Sequence, residues 1–300
     1  MRELIRSYEV WGNETDAFDY TITVWKDGEN YYQIKHPARG GKFDLDSFPT
    51  PSPIPLVFFK GHWHSSLTEC PSPLPLDSYQ KIPDIVLLED YGDGLGRGIP
   101  KTPGEYLVIE AEIYEILKQY PHPNICHYYG CIRDGQYLTA ICLRKYKHSL
   151  FDAVKSGEAL DRNVILSGIA NGLQFLHDTL GLAHNDIKPE NIMLDEKGHP
   201  VIIDFDSCAE IGKDLKVDGR KRGTFGWVRE PEPHTSTVAS DEYALLLIAQ
   251  YLDGKVDNCG MPLPPDVSIL ISSTFLVCLG LMLSFVELSI SQYSVRSCSA

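Results

Sequence analysis

The sequence predicts an α+β fold, on three observations. β-Branched and aromatic residues crowd the first sixty positions, at Tyr20-Thr-Ile-Thr-Val-Trp25 and Tyr31-Tyr-Gln-Ile34 above all. Apolar residues recur at helical spacing across 106–120, 163–177 and 241–252. Short apolar runs between those helices are punctuated by the turns Asp134-Gly135 and Lys197-Gly198, which marks them as strands.

Taken in order, strands at 20–25 and 31–34 are split by Asp27-Gly28. Pro49-Thr-Pro-Ser-Pro-Ile-Pro55 is an extended spacer, because proline gives no N–H to a ladder. Leu56-Val-Phe-Phe59 follows as another expected strand. Positions 70–104 hold many prolines and glycines and predict an irregular insertion. The helix at 106–120 carries Leu107, Ile113, Ile116, Leu117 and Tyr120, and Pro121-His-Pro-Asn-Ile125 stops it. Strands are expected at 126–132 and 137–143. The helix at 163–177 has Ile165, Ile169, Leu173 and Leu176 on one stripe. Ile192-Met-Leu194 and Val201-Ile-Ile203 are two short strands, and 241–252 reads as a buried helix. The expected division is a β-rich region at 1–104, a core at 105–255 and an apolar tail at 256–300.

The 300 residues are 43% hydrophobic and 23% charged, enough for one large domain or two lobes. A net charge of −14 repels phosphate backbones, so no nucleic acid is expected as partner. A polyanionic ligand would need a metal ion or local lysines to bind. Eight cysteines include no Cys-x-x-Cys pair, and positions 1–10 carry charges without an apolar signal core. These features predict free thiols in an intracellular, cytoplasmic compartment and no structural zinc. The stretch 267–286 contains no charge. About 20 helical residues span roughly 30 Å, the thickness of a bilayer core. A tail anchor in contact with a membrane, a buried helix and a non-native C-terminus all stay open for it.

The chemistry-bearing residues lie in His184-Asn-Asp-Ile-Lys-Pro-Glu-Asn191 and Ile203-Asp-Phe-Asp206. Phosphoryl transfer needs positioned groups and neutralised charge. One carboxylate must handle the proton of an acceptor hydroxyl, and Asp186 suits that task. Hard cations want oxygen ligands, and Asn191 and Asp204 can supply an amide oxygen and a carboxylate. Lys188 sits two positions past Asp186, where an ammonium could reach the transferring group.

These two segments resemble the catalytic and metal loops of the eukaryotic protein kinase superfamily, over roughly residues 105–255. The pattern His-Asn-Asp-Ile with Ile-Asp-Phe-Asp-Ser is most similar to divergent fungal serine/threonine kinase-like proteins. The resemblance implies a two-lobed kinase-like fold with a β-rich N-lobe and a helical, shortened C-lobe lacking recognisable helices αG to αI. It implies MgATP as cofactor and a protein substrate with a serine or threonine acceptor. Asp186 and Lys188 would be catalytic, and Asn191 and Asp204 would hold magnesium. Backbone near Arg144 to Tyr146 would bind adenine, with Met193 beneath the ring. His184 and Phe205 match the hydrophobic spine, Gly223-Thr-Phe-Gly-Trp227 the substrate-side end of the activation segment, and Asp241 the brace of the catalytic loop. The family pairs a strand lysine with a helix glutamate to clamp ATP. Glu110 is the best glutamate, with Glu112 its rival. Lys60 is the best lysine and Lys35 the second.

The chain also departs from the family pattern. Asn185 replaces the arginine that pairs with an activation-loop phosphate, which implies control without that phosphorylation. Asp206 replaces a glycine, which implies a stiffer metal loop. The basic run Lys213, Lys216, Arg220, Lys221, Arg222 is either solvated surface or a substrate contact. Gly92-Asp-Gly-Leu-Gly-Arg-Gly98 lies too close to the helix at 106–120 to be the family's phosphate loop and reads as a flexible loop. The function expected is a protein serine/threonine kinase, with a pseudokinase that binds nucleotide without transfer, and a small-molecule phosphotransferase, as the alternatives.

Overall fold

Clustered β-branched and aromatic residues open the chain as a three-stranded antiparallel sheet, order β1-β2-β3, from β1 (Glu3–Trp11), β2 (Phe18–Asp27) and β3 (Asn30–His36). This is a computed structural model, and it describes residues 1–11, 17–41, 43–84, 101–217, 219–221, 223–229 and 233–263. Thr21 to Trp25 of the central strand are all buried. Trp25 stacks on Tyr32 at 5.6 Å, and His36 packs against both Phe43 and Phe48 with its Nε2 bonded to Thr23 Oγ1 at 2.8 Å. Burial lowers the His36 pKa, which favours the neutral ring.

A second sheet forms on one central strand. β4 (Gly61–His62) and β5 (Ser78–Lys81) pair with opposite ends of β7 (Tyr137–Arg144), and β6 (Tyr128–Asp134) runs antiparallel to it. Helix α1 (Pro103–Lys118) starts on a capping box between Thr102 and Glu105, with Pro103 in its first turn. It buries Leu107, Ile113, Tyr114 and Leu117, and also the carboxylate of Glu110.

The remaining elements are β8 (His148–Ser149), α2 (Leu150–Lys155), α3 (Arg162–Gln174), β9 (Leu182–Ala183), β10 (Ile192–Leu194), β11 (Pro200–Ile202), β12 (Ala209–Glu210) and α4 (Val238–Leu252). Asp161 caps α3 and Thr237 caps α4. β10 pairs with β11 and β8, while β12 pairs with β9. The two short pairings bring the residues after His184 and those after Ile203 together.

Several expectations change. Leu56–Phe59 is a 3-10 turn, not a strand, because Pro55 starts it and the Phe58 N–H donates back to the Pro55 carbonyl at 2.9 Å. The stretch 70–104 is not wholly irregular, since it contains β5. The chain divides into two compact units, 1–119 with 127–145 and 120–126 with 146–300. The boundary expected at 104 therefore falls against the grain of the packing, because α1 packs on β4, β6 and β7. Cys70, Cys126, Cys131, Cys142 and Cys208 are free thiols, whereas Cys259 is disulfide-bonded. Among the described residues no helix is long and apolar enough to cross a membrane. The glycine run at 92–98 and the stretch 267–286 lie outside the described residues.

Candidate active site

Helix α4 carries Asp241, fully buried, and a buried carboxylate must be paired. Its Oδ2 accepts from the His184 N–H at 2.8 Å and its Oδ1 from the Asn185 N–H at 2.8 Å. His177 Nε2 lies 2.8 Å from Oδ2. Asp241 thus fixes the backbone immediately before Asp186. The ring of His184 contacts Phe205 edge-on at 5.1 Å, and its Nε2 is 2.9 Å from the Ile203 carbonyl. The Ile203 N–H donates to the Asn191 carbonyl at 3.0 Å. Asp204 is therefore one residue away from a backbone bonded to both ends of the 184–191 loop.

The Asp186 carboxylate is held on both oxygens. Oδ1 accepts from the Thr224 N–H at 2.8 Å and the Thr224 hydroxyl at 2.7 Å. Oδ2 accepts from Asn191 Nδ2 at 3.1 Å and pairs with Lys188 Nζ at 3.1 Å. Lys188 Nζ also donates to Thr224 Oγ1 at 2.7 Å. A carboxylate offers about four lone-pair sites, and these contacts engage them all. An incoming hydroxyl must displace one of the longer two. Lys188 can release Oδ2 most readily, since an ammonium has three donors and a flexible stem.

Asn191 turns its amide nitrogen to Asp186, bonding the carbonyl at 2.8 Å as well as the carboxylate. Its Oδ1 makes no hydrogen bond among the described residues and is an oxygen acceptor in the loop. Asp204, half-buried, holds a left-handed backbone with φ +65°. Together they offer an amide oxygen and a carboxylate, a donor set that fits magnesium. Glu190 lies in the short turn Pro189–Asn191 that ends this loop. Burial pushes its carboxyl pKa up, with Lys188 lowering it and Asp186 and Asp152 raising it further.

Two departures from the family pattern have structural work here. Asn185 takes φ +65°, which asparagine tolerates better than most residues, and its Nδ2 donates to Ala183 O, Ser207 O and Ser236 Oγ. Asp206 is buried and forms a close ion pair with Lys221. Downstream, Gly226 and Gly260 both have positive φ. A Cβ on Gly226 would overlap the Cys259 carbonyl, and one on Gly260 would overlap the Gly226 carbonyl. Trp227, buried beside them, donates from Nε1 to Asn258 O at 3.3 Å.

In the other unit, Glu110 is 1% exposed while its rival Glu112 is exposed. The lysine that meets Glu110 is Lys81 of β5, with Nζ 2.7 Å from Oε1 and 2.6 Å from Oε2. Lys60, expected in that position, instead pairs with Asp134 at 2.9 Å, because it follows a 3-10 turn at the other end of β7 from β5. Lys35, the second candidate, lies in the separate β1-β2-β3 sheet and stands 4.6 Å from the Tyr20 ring. Arg144 ends β7, its guanidinium 3.7 Å from Asp77, and its N–H donates to His127 O. Tyr146 follows, half-buried. Met193 lies in β10 opposite Val201 and Ser149. Lys81, the paired role of Lys221 and the Thr224 contacts were not foreseen. Lys81 had one usable signal, an ungapped Ser78-Tyr-Gln-Lys81 stretch far nearer to Glu110 than Lys60 is.

A family model described as protein kinase domain matches residues 103–244. The chain is 34% identical over 136 residues to the serine/threonine-protein kinase PBS1 of Arabidopsis thaliana, 41% of this chain and 30% of that protein. It is 30% identical over 146 residues to the serine/threonine-protein kinase chk1 of Schizosaccharomyces pombe, covering 47% and 26%. It is 30% identical over 133 residues to mitogen-activated protein kinase kinase kinase 3 of Arabidopsis thaliana, covering 43% and 20%. The chain spans less than a third of the length of these relatives. The matched stretch contains α1 with Glu110, the 184–191 loop, Asp204 and Asp241, but not Lys81.

Proposed function

This chain belongs to the eukaryotic protein kinase superfamily, and we propose that it transfers the γ-phosphoryl group of ATP to serine or threonine hydroxyls of proteins. The observation that carries the reading is the Asp186 carboxylate, held by Thr224, Lys188 and Asn191 on both oxygens. MgATP, when bound, supplies the phosphoryl group and a divalent charge. Asp186 would orient the acceptor hydroxyl and take its proton at Oδ2 once Lys188 moves off that oxygen. Lys188 would then neutralise charge on the transferring group while keeping its bond to Thr224. Asn191 Oδ1 and Asp204 would ligate magnesium. Lys81, steadied by Glu110, takes over the phosphate-clamping role expected of Lys60. Backbone at Arg144 to Tyr146 and the side chain of Met193 remain the adenine contacts in this proposal. An intracellular setting is part of it; the free thiols at Cys126, Cys131, Cys142 and Cys208 speak for it and the bonded Cys259 does not.

The test is phosphotransfer from γ-labelled ATP to a serine/threonine peptide panel, alongside thermal shift with MgATP. Asp186→Asn should lower turnover by about 10²-fold or more, within the ~10²–10⁴-fold range of positioned acid–base groups, and leave the MgATP shift intact. Equal rates in mutant and parent reject the assignment. A MgATP shift with no transfer would make the chain a nucleotide-binding module. Transfer to free small alcohols alone would remove the protein substrate.

A further inference from the structure

Asp206 stands two residues past Asp204, where the family pattern has glycine. Its side chain is 9% exposed, and a buried carboxylate is costly without a counter-charge. Lys221 supplies that charge through a close ion pair with Oδ2, its own side chain 22% exposed. Lys221 lies three residues before Thr224, the residue that donates twice to Asp186. One ion pair therefore ties the chain just after Asp204 to the chain just before Thr224.

A second tie runs in parallel. Asn185, directly before Asp186, donates to the carbonyl of Ser207, the neighbour of Asp206, and to Ser236 Oγ. At this position an arginine could pair with a phosphate on the intervening segment, whereas a neutral amide cannot. Lys213, in the same segment, sits half-exposed 3.8 Å from an exposed Glu210. Exposed pairs of that kind contribute little. The pairing with a buried carboxylate two residues past Asp204, three residues before Thr224, is what marks Lys221 within the basic run.

We propose that Lys221 is a positioning residue that, by pairing with Asp206, holds 206–224 in its transfer-competent arrangement without any phosphate on that segment. The inference rests on the kinase reading for its consequence, but the pairing itself can be tested without activity. Full-length parent, Lys221→Met, Lys221→Arg, Asp206→Gly and the double variant would be compared by amide hydrogen exchange at 204–210 and 219–225. Each would be run with and without phosphatase treatment, and kcat and KM measured in parallel.

Loss of the charge should raise exchange in both peptides by about tenfold, as local opening becomes easier. It should lower kcat by about 10–100-fold, since small misplacements are expensive, while KM for ATP stays within about twofold. Lys221→Arg should restore both readings, phosphatase should change nothing in the parent, and Lys213→Met should match the parent. If Lys221→Met does not fold, Asp206→Gly carries the test, because it removes the carboxylate that demands a partner. The double variant should then be no worse than Asp206→Gly alone. Parent-level protection in Lys221→Met or Asp206→Gly overturns the proposal. So does phosphatase-treated parent that loosens as much as Lys221→Met. A parent that exchanges as expected but transfers no phosphate overturns the kinase activity and leaves the positioning role standing.

Discussion

Glu110 and Asp186 are both buried carboxylates, with side chains 2% and 9% exposed, yet they are held in opposite ways. Both Glu110 oxygens face one ammonium, Lys81, brought from a strand 29 positions earlier. Asp186 shares its charge among Thr224, Asn191 and Lys188, all in its own unit. An ammonium that meets both oxygens of a buried carboxylate makes that contact a large part of the local folding stability. A distributed set protects the fold against loss of any one donor, so damage there shows first in the chemistry.

The comparison breaks most clearly at Lys81. Lys81→Met should cost about 2–3 kcal/mol in urea unfolding, below the full penalty of a broken buried pair because Lys81 keeps some water contact. The Lys81→Met/Glu110→Leu double variant should recover most of it, and an unchanged urea midpoint in the single variant would sink the contrast. Asn185→Ala comes next at about 1–2 kcal/mol. It strips donors from three acceptors and leaves alanine at φ +65°, and unfolding curves read it directly.

Glu190→Gln should have a smaller effect of opposite sign. A carboxyl whose pKa is raised in the folded state destabilises it only where the group ionises. Its cost is absent below the usual carboxylate range near pH ~4.3 and grows as pH rises through the folded pKa. The variant should melt about 1–3 °C higher at pH 7 and match the parent near pH 4. A gain of the same size at both pH values would show that ionisation is not the cause. Lys60→Ala should move stability by less than about 0.5 kcal/mol, as exposed pairs do, and leave KM for ATP unchanged. A KM rise would return Lys60 to the site.

The same contrast explains what the sequence made legible. Asp186 and Asn191 are five positions apart, and Asp204 returns through the short β10–β11 hairpin, so local spacing carries that geometry. The α1 pattern likewise points Glu110 inward, because its apolar neighbours set the buried face. Lys81 was hidden for a physical reason. β5 has four residues, none fully buried, so it lacks the alternation that marks a half-buried strand. Val57-Phe-Phe looked strand-like from composition alone, but the preceding proline turned it. β1 lies in the region expected to be β-rich, but Glu3, Arg6 and Glu9 break the apolar alternation that would mark a strand, as suits an edge strand paired to β2. Asn185 was visible as an exception, but its bonds to Ser207 and Ser236 join parts of the chain 22 and 51 positions away.

The facing backbones of Gly226 and Gly260 reach beyond the segments they join. The family match ends at 244, yet the turn that clasps Gly226 and Trp227 is built from 257–260. Whatever divergence the last turns of this domain have undergone, that hasp tolerates no side chain on either leaf. A version trimmed to the recognisable stretch would keep Asp186, Lys188 and Asp204 and still lose the buttress behind Thr224.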